Sequence, residues 1–106
     1  MAKAELHEMA KQQFGDMVKA VVDVEQGIMA IGGELHSDEE AALLDQGSLQ
    51  KHLWGINLYP ERPGSEWIEF DSMINVRPSV GNRSRYVERA DIREAITTIV
   101  NRLVEG

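Results

Sequence analysis

The sequence predicts an α+β sandwich of two layers, a four-stranded and mostly antiparallel sheet with its helices on one face. Three observations carry that reading: apolar residues at helical spacing near both ends, two strand–turn–strand patterns, and a helix-like segment between them. The expected element order is α-β-β-α-β-β-α, within one domain covering residues 1–106.

Leu6, Met9, Ala10, Phe14 and Met17 recur at helical spacing, so residues of about 3–14 form an amphipathic helix that Gly15 stops. From Met17 the period becomes two. Val18, Ala20, Val22 and Val24 share one face, with Lys19, Val21 and Asp23 opposite. Glu25-Gln26-Gly27 suits a three-residue hairpin turn with glycine in the left-handed position. The return strand runs from Ile28 to about Leu35, weakened at Gly32-Gly33.

Ser37-Asp38-Glu39-Glu40 forms a capping box ahead of a short helix of about 38–46, which Gly47 ends. Trp54, Ile56 and Leu58 alternate with Gly55, Asn57 and Tyr59 in a third strand, and residues 60–65 make a turn rich in proline and glycine. In the next segment Ile68, Phe70, Ser72, Ile74 and Val76 share one face, opposite Trp67, Glu69, Asp71, Met73, Asn75 and Arg77. This predicts a long strand with a bend near Ser72, ended by Pro78. Asp91-Ile92-Arg93-Glu94 offers a second capping box. Ile92, Ile96, Ile99, Val100, Leu103 and Val104 define the final helix.

Composition excludes several classes of function. The absence of cysteine removes disulfides, thiolate metal sites and cysteine nucleophiles. No apolar run approaches the roughly 18 residues of a membrane span, and the start of the chain lacks a signal-peptide core. A cytoplasmic setting without membrane contact is the expectation. A net charge of −7 argues against nucleic acid as partner, because the field of the whole molecule repels phosphate backbones.

The strings Val-Val-Asp-Val-Glu (21–25), Ile-Gly-Gly-Glu-Leu-His (31–36), Trp-Gly-Ile-Asn-Leu-Tyr-Pro (54–60), Phe-Asp-Ser-Met-Ile-Asn-Val-Arg-Pro (70–78) and Gly-Asn-Arg-Ser-Arg (81–85) resemble an uncharacterised bacterial domain-of-unknown-function family of small stand-alone proteins. The resemblance spans residues of about 10–104. It implies a free-standing domain and assigns no activity, ligand or residue role.

Two groups of residues are candidates for a site. The first is the segment from Asn75 to Tyr86, which holds three arginines and lies in a stretch free of carboxylates from Ser72 to Val87. Asn75, Arg77, Asn82, Arg83 and Arg85 could gather amides and guanidinium forks on a small phosphate or carboxylate, with Gly81 letting the loop fold back. Arg77 could pair instead with Glu69 or Asp71. The second is the sheet face that the helices leave open, with Glu34, His36, Glu69 and Asp71 as its candidates and Lys19, Asp23, Asn57 and Tyr59 beside them.

A metal site is not expected, since no second histidine stands at ligand spacing from His36. No cofactor signature is present. The chain reads best as a non-catalytic binding or interaction domain, a homo-oligomer joined through Val21, Trp67 and Met73 on the open face, with the arginine loop as anion site. The rival is a small hydrolase using His36 with Glu34 or Asp71.

Overall fold

The structure, a computed structural model, describes residues 1–105. In chain order the elements are α1 (Lys3–Gln13), β1 (Val18–Asp23), β2 (Ile28–Ile31), α2 (His36–Asp45), β3 (Leu53–Leu58), β4 (Ile68–Glu69) and α3 (Ala90–Leu103). The strands form one sheet in the order β2-β1-β3-β4, antiparallel at every pairing. The α+β class, the four-stranded sheet and the element order agree with the sequence reading.

The first hairpin turns as its residues dictate. Gly27 has φ 69°, the left-handed conformation that side chains resist. The buried Asp23 carboxylate accepts from the amides of Glu25 and Gln26 at 2.9 and 3.0 Å, and from Ser48 Oγ at 2.7 Å. Burial alone would raise the pKa of Asp23; these donors outweigh it and hold the carboxyl below its ordinary value.

On one face, Ala20 and Val22 of β1 join Trp54, Ile56 and Leu58 of β3 under Leu6 and Ala10 of α1 and Ile96 and Val100 of α3. The other face is covered as well, contrary to the two-layer expectation. Val21 and Leu53 pack with Leu43 of α2, with Ile28, Ala30 and Ile74 around them. The reason is in β1 itself: Val21 and Val22 point to opposite faces, so neither side of this strand can face water cheaply. Self-association through Val21, Trp67 and Met73 loses its basis. Val21 and Trp67 are buried, and of the three only Met73 is exposed.

The long strand of residues 67–77 is also corrected. Only Ile68 and Glu69 pair with β3, opposite Leu58 and Asn57. At Ser72 the hydroxyl accepts from the Ile74 amide and starts a 3-10 turn, Met73–Asn75. That turn packs onto β3 at Gly55, where a Cβ would lie 2.5 Å from the Ser72 Cβ. Glycine is therefore required there for steric reasons. On its outer side this stretch pairs with residues 85–87: Asp71 bridges Tyr86, the Ser72 amide donates to Arg85 O, and the Val87 amide to Phe70 O.

Neither capping box forms. α2 starts two residues earlier than its Ser37 cap requires, with Leu35 at the cap position and no side-chain acceptor there. α3 starts at Ala90 after Arg89, and Asp91 pairs with the Arg89 guanidinium instead of capping. β2 stops at Ile31, where Gly32 turns to φ 89°.

Candidate functional site

The outer side of β3 organises the site region. Because β4 is so short, the amide and carbonyl groups that β3 turns outward beyond it need other partners. Side chains supply them. Asn75, fully buried, accepts from the Gly55 amide at 2.8 Å and donates to the carbonyls of Gly55 and Arg85 at 3.0 and 2.9 Å. The Arg77 guanidinium donates to Gln50 O and Leu53 O and lies over the Trp54 ring, 4.5 Å from its centroid. Burial pulls its pKa below the ordinary arginine value.

Asn82 closes the neighbouring loop in the same way. Its amide nitrogen reaches the carbonyls of Asn75, Ser84 and Tyr86, and its oxygen accepts from the Glu88 amide. Asn75, Arg77 and Asn82 were expected to converge on an anion; in the structure each turns inward and completes the backbone. Arg77 pairs with neither Glu69 nor Asp71. Arg83 is exposed, and its backbone amide donates to Glu88.

Arg85 is the exception. Its guanidinium binds Asp71 through two parallel bonds of 2.9 and 3.1 Å, and this exposed pair stands between two clefts. The larger, of about 570 Å³, lies on the Asp71 side and is lined by Arg62, Glu66, Ile68, Glu69, Phe70, Asp71 and Tyr86. The smaller, of about 190 Å³, lies on the Arg85 side with Lys19, Leu35, His36, Ser37, Ser72 and Met73.

Of the sheet-face candidates, the structure brings three into one neighbourhood. Asn57 links Glu69 to the Asp71 strand, donating to Glu69 Oε1 at 2.8 Å and to Asp71 O at 3.1 Å. Tyr59 adds a hydroxyl to Glu69 Oε1, and burial followed by that carboxylate raises its pKa. His36 projects from α2 with Nε2 2.7 Å from Ile56 O. A carbonyl only accepts, so Nε2 carries the ring proton. Burial lowers the imidazole pKa below its ordinary value, opposed by the bond to Ile56 O and then by Asp71. Glu34 stands apart, exposed on the far side of Leu35 beside Gln12, Gln13 and Phe14.

Glu39 is the residue that sequence reading missed. It lies four positions before Leu43 and therefore on the same buried helix face, a signal that spacing could have supplied. Its Oε2 accepts from the Gly33 amide at 3.0 Å while Oε1 has no partner. Burial pushes its pKa up to about 8, with the Gly33 amide and Lys19 opposing. The unfolded carboxyl loses its proton near pH 4.5 and the folded one near 8, so stability is full below pH 4.5 and falls as pH rises to 8. Glu39→Gln removes that titration. Urea melts should show the variant about 2 kcal/mol more stable than the parent at pH 8.5 relative to their difference at pH 4.5, the full shift being discounted for local relaxation. Parallel stability–pH curves would show that Glu39 is ionised in the fold.

Among the described residues no group of three or more histidine or carboxylate side chains is placed to hold a metal ion, and no helix is long and apolar enough to cross a membrane. A family model described as "Protein of unknown function (DUF5674)" matches residues 1–103. No curated protein and no solved structure matches the chain.

Proposed function

The chain belongs to the DUF5674 family, and from the geometry of its smaller cleft we propose that it is a non-catalytic binding domain for a small anion, a phosphate or carboxylate. One observation carries this reading: the uncapped amide end of α2 opens onto a cleft that also holds Lys19 and Arg85. The helix amides and its dipole favour negative charge at that end. Lys19 forms no ion pair among the described residues; its ammonium lies 5.4 Å from the Phe14 ring centroid. The exposed Ser37 lines the same cleft, and the buried Ser72 stands behind it. Arg85 is the one residue of the arginine segment that lines this cleft.

The hydrolytic alternative, His36 acting with Glu34 or Asp71, has less support. Nε2 is engaged with a main-chain carbonyl, Glu34 lines a different cleft, and Asp71 is held by Arg85. Ser72 Oγ, the hydroxyl nearest in sequence to Asp71, already accepts from the Ile74 amide.

Amide-resolved titration with inorganic phosphate, sulfate, acetate and a mononucleotide tests the anion reading. Saturable shifts are expected at residues 35–38 and 85, with Lys19→Ala weakening binding about fivefold, the worth of an ion pair of about 1 kcal/mol. Still amides at 35–38 with millimolar ligand would end this reading. Shifts at 77–83 alone would move the site back to the arginine loop.

A further inference from the structure

The two edges of the sheet are finished differently. At β2 the flanking carbonyls are occupied by side chains: Arg102 donates to Gly27 O and Gln13 to Gly32 O. At β4 nothing comparable is present. Glu69 faces Asn57 across the ladder, and the Tyr59 amide bonds Trp67 O, so residues 67 and 69 turn their backbone groups toward β3. Ile68 and Phe70 between and after them turn outward. Phe70 O is taken by the Val87 amide, but among the described residues no segment pairs with the outer side of Ile68. The added strand of residues 85–87 stops short of it, and the cleft of about 570 Å³ lies there.

We propose that this edge takes up an extended peptide segment of a partner protein, pairing with Ile68 and continuing the line of residues 85–87, with an apolar–basic–apolar pattern. The pattern follows from the two faces of the edge. Ile68 and Phe70 point to the side where the core lies, and Phe70 meets Tyr86 edge-on at 6.3 Å, so an added strand finds apolar neighbours on that side. Glu69 and Asp71 point to the other. The cleft carries three carboxylates, of which Asp71 is already paired with the Arg85 guanidinium, leaving Glu66 and Glu69 against Arg62, which lies 3.6 Å from the Tyr59 ring centroid. In a chain of net charge −7 this excess of carboxylates draws a basic side chain and repels an acidic one. Main-chain bonds supply affinity and the alternating pockets supply selectivity, as in other cases of strand addition.

The probes are two blocked pentapeptides, acetyl-Val-Lys-Val-Lys-Val-amide and its glutamate counterpart, with spermidine as a cation lacking a strand. The lysine peptide should give saturable amide shifts at residues 68–70 and 86, and the glutamate peptide should bind at least about tenfold more weakly. Glu66→Gln, at an exposed position, should weaken the lysine peptide a few-fold without changing the fold. Equal binding of both peptides, or spermidine displacing the lysine peptide at equal concentration, would overturn the proposal. So would a protein that light scattering shows to be a dimer with these amides insensitive to peptide, since the edge would then be held by a second copy.

Discussion

Asn75→Ala is expected to lower the free energy of unfolding by about 3–4 kcal/mol in urea melts. The side chain is wholly enclosed and makes three hydrogen bonds to main-chain groups that have no strand beside them. Alanine orphans the Gly55 amide and the Gly55 carbonyl, whereas the Arg85 carbonyl keeps the Ser72 amide, and each buried group so orphaned costs about 1–3 kcal/mol, less where water follows into the space. Asn75→Asp should cost a similar amount, because a carboxylate keeps the acceptor for Gly55 and turns both donors into repulsions. Arg83→Ala, whose side chain is exposed, should stay within about 0.5 kcal/mol of the parent. A loss below about 1 kcal/mol at Asn75 would mean that solvent already reaches this side of the strand.

Ile96→Ala should cost about 2–5 kcal/mol, the usual toll of removing a large aliphatic side chain from an interior. Ile96 is completely enclosed between α3 and the sheet, together with Val100 and Leu6. Thr97, the next residue, turns about 100° away and is only half-buried, its hydroxyl returning to Arg93 O at 2.9 Å. Thr97→Ala should change stability by no more than about 0.5 kcal/mol. Equal losses at the two positions would put the helix in a different phase from the one described.

Periodicity identified most of the elements because it reports burial directly. α1, β1, β3 and α3 fall within about two residues of their expected bounds, and the left-handed glycine at position 27 was readable from the turn alone. Two features escaped for physical reasons. A face bearing Lys19, Val21 and Asp23 reads as mixed and therefore wet, yet Asp23 is satisfied locally by Ser48 and its own turn. Its polarity gave no information about what covers Val21. Alternation over residues 67–77 looked like one strand because side chains on an irregular segment can also be sorted in and out. Nothing local shows that Ser72 and Asn75 are acting as backbone partners.

The site was legible in part for the same reason. Arginine and asparagine in a loop announce hydrogen-bond donors but not their targets. Asn75, Arg77 and Asn82 found theirs in the main chain, whereas Arg85 kept a surface position through Asp71. His36 and Asp71 were named on the assumption of a bare sheet; the helix that covers the sheet is what brings His36 to it.

The replacement of a strand by side chains on the outer side of β3 sets an order of assembly. β1, β2 and β3 are joined by ladders of four and six residue pairs and can close as successive antiparallel pairings. Asn75 and Arg77 lack their partners at Gly55 and Leu53 until β3 is laid down, so residues 70–88 are expected to condense late onto that template. Their native bonds are then absent from the rate-limiting barrier, and substitutions there act on the escape rate from the native state. Stopped-flow chevrons are therefore expected to show Asn75→Ala and Arg77→Ala mainly in the unfolding rate and Val22→Ala mainly in the folding rate.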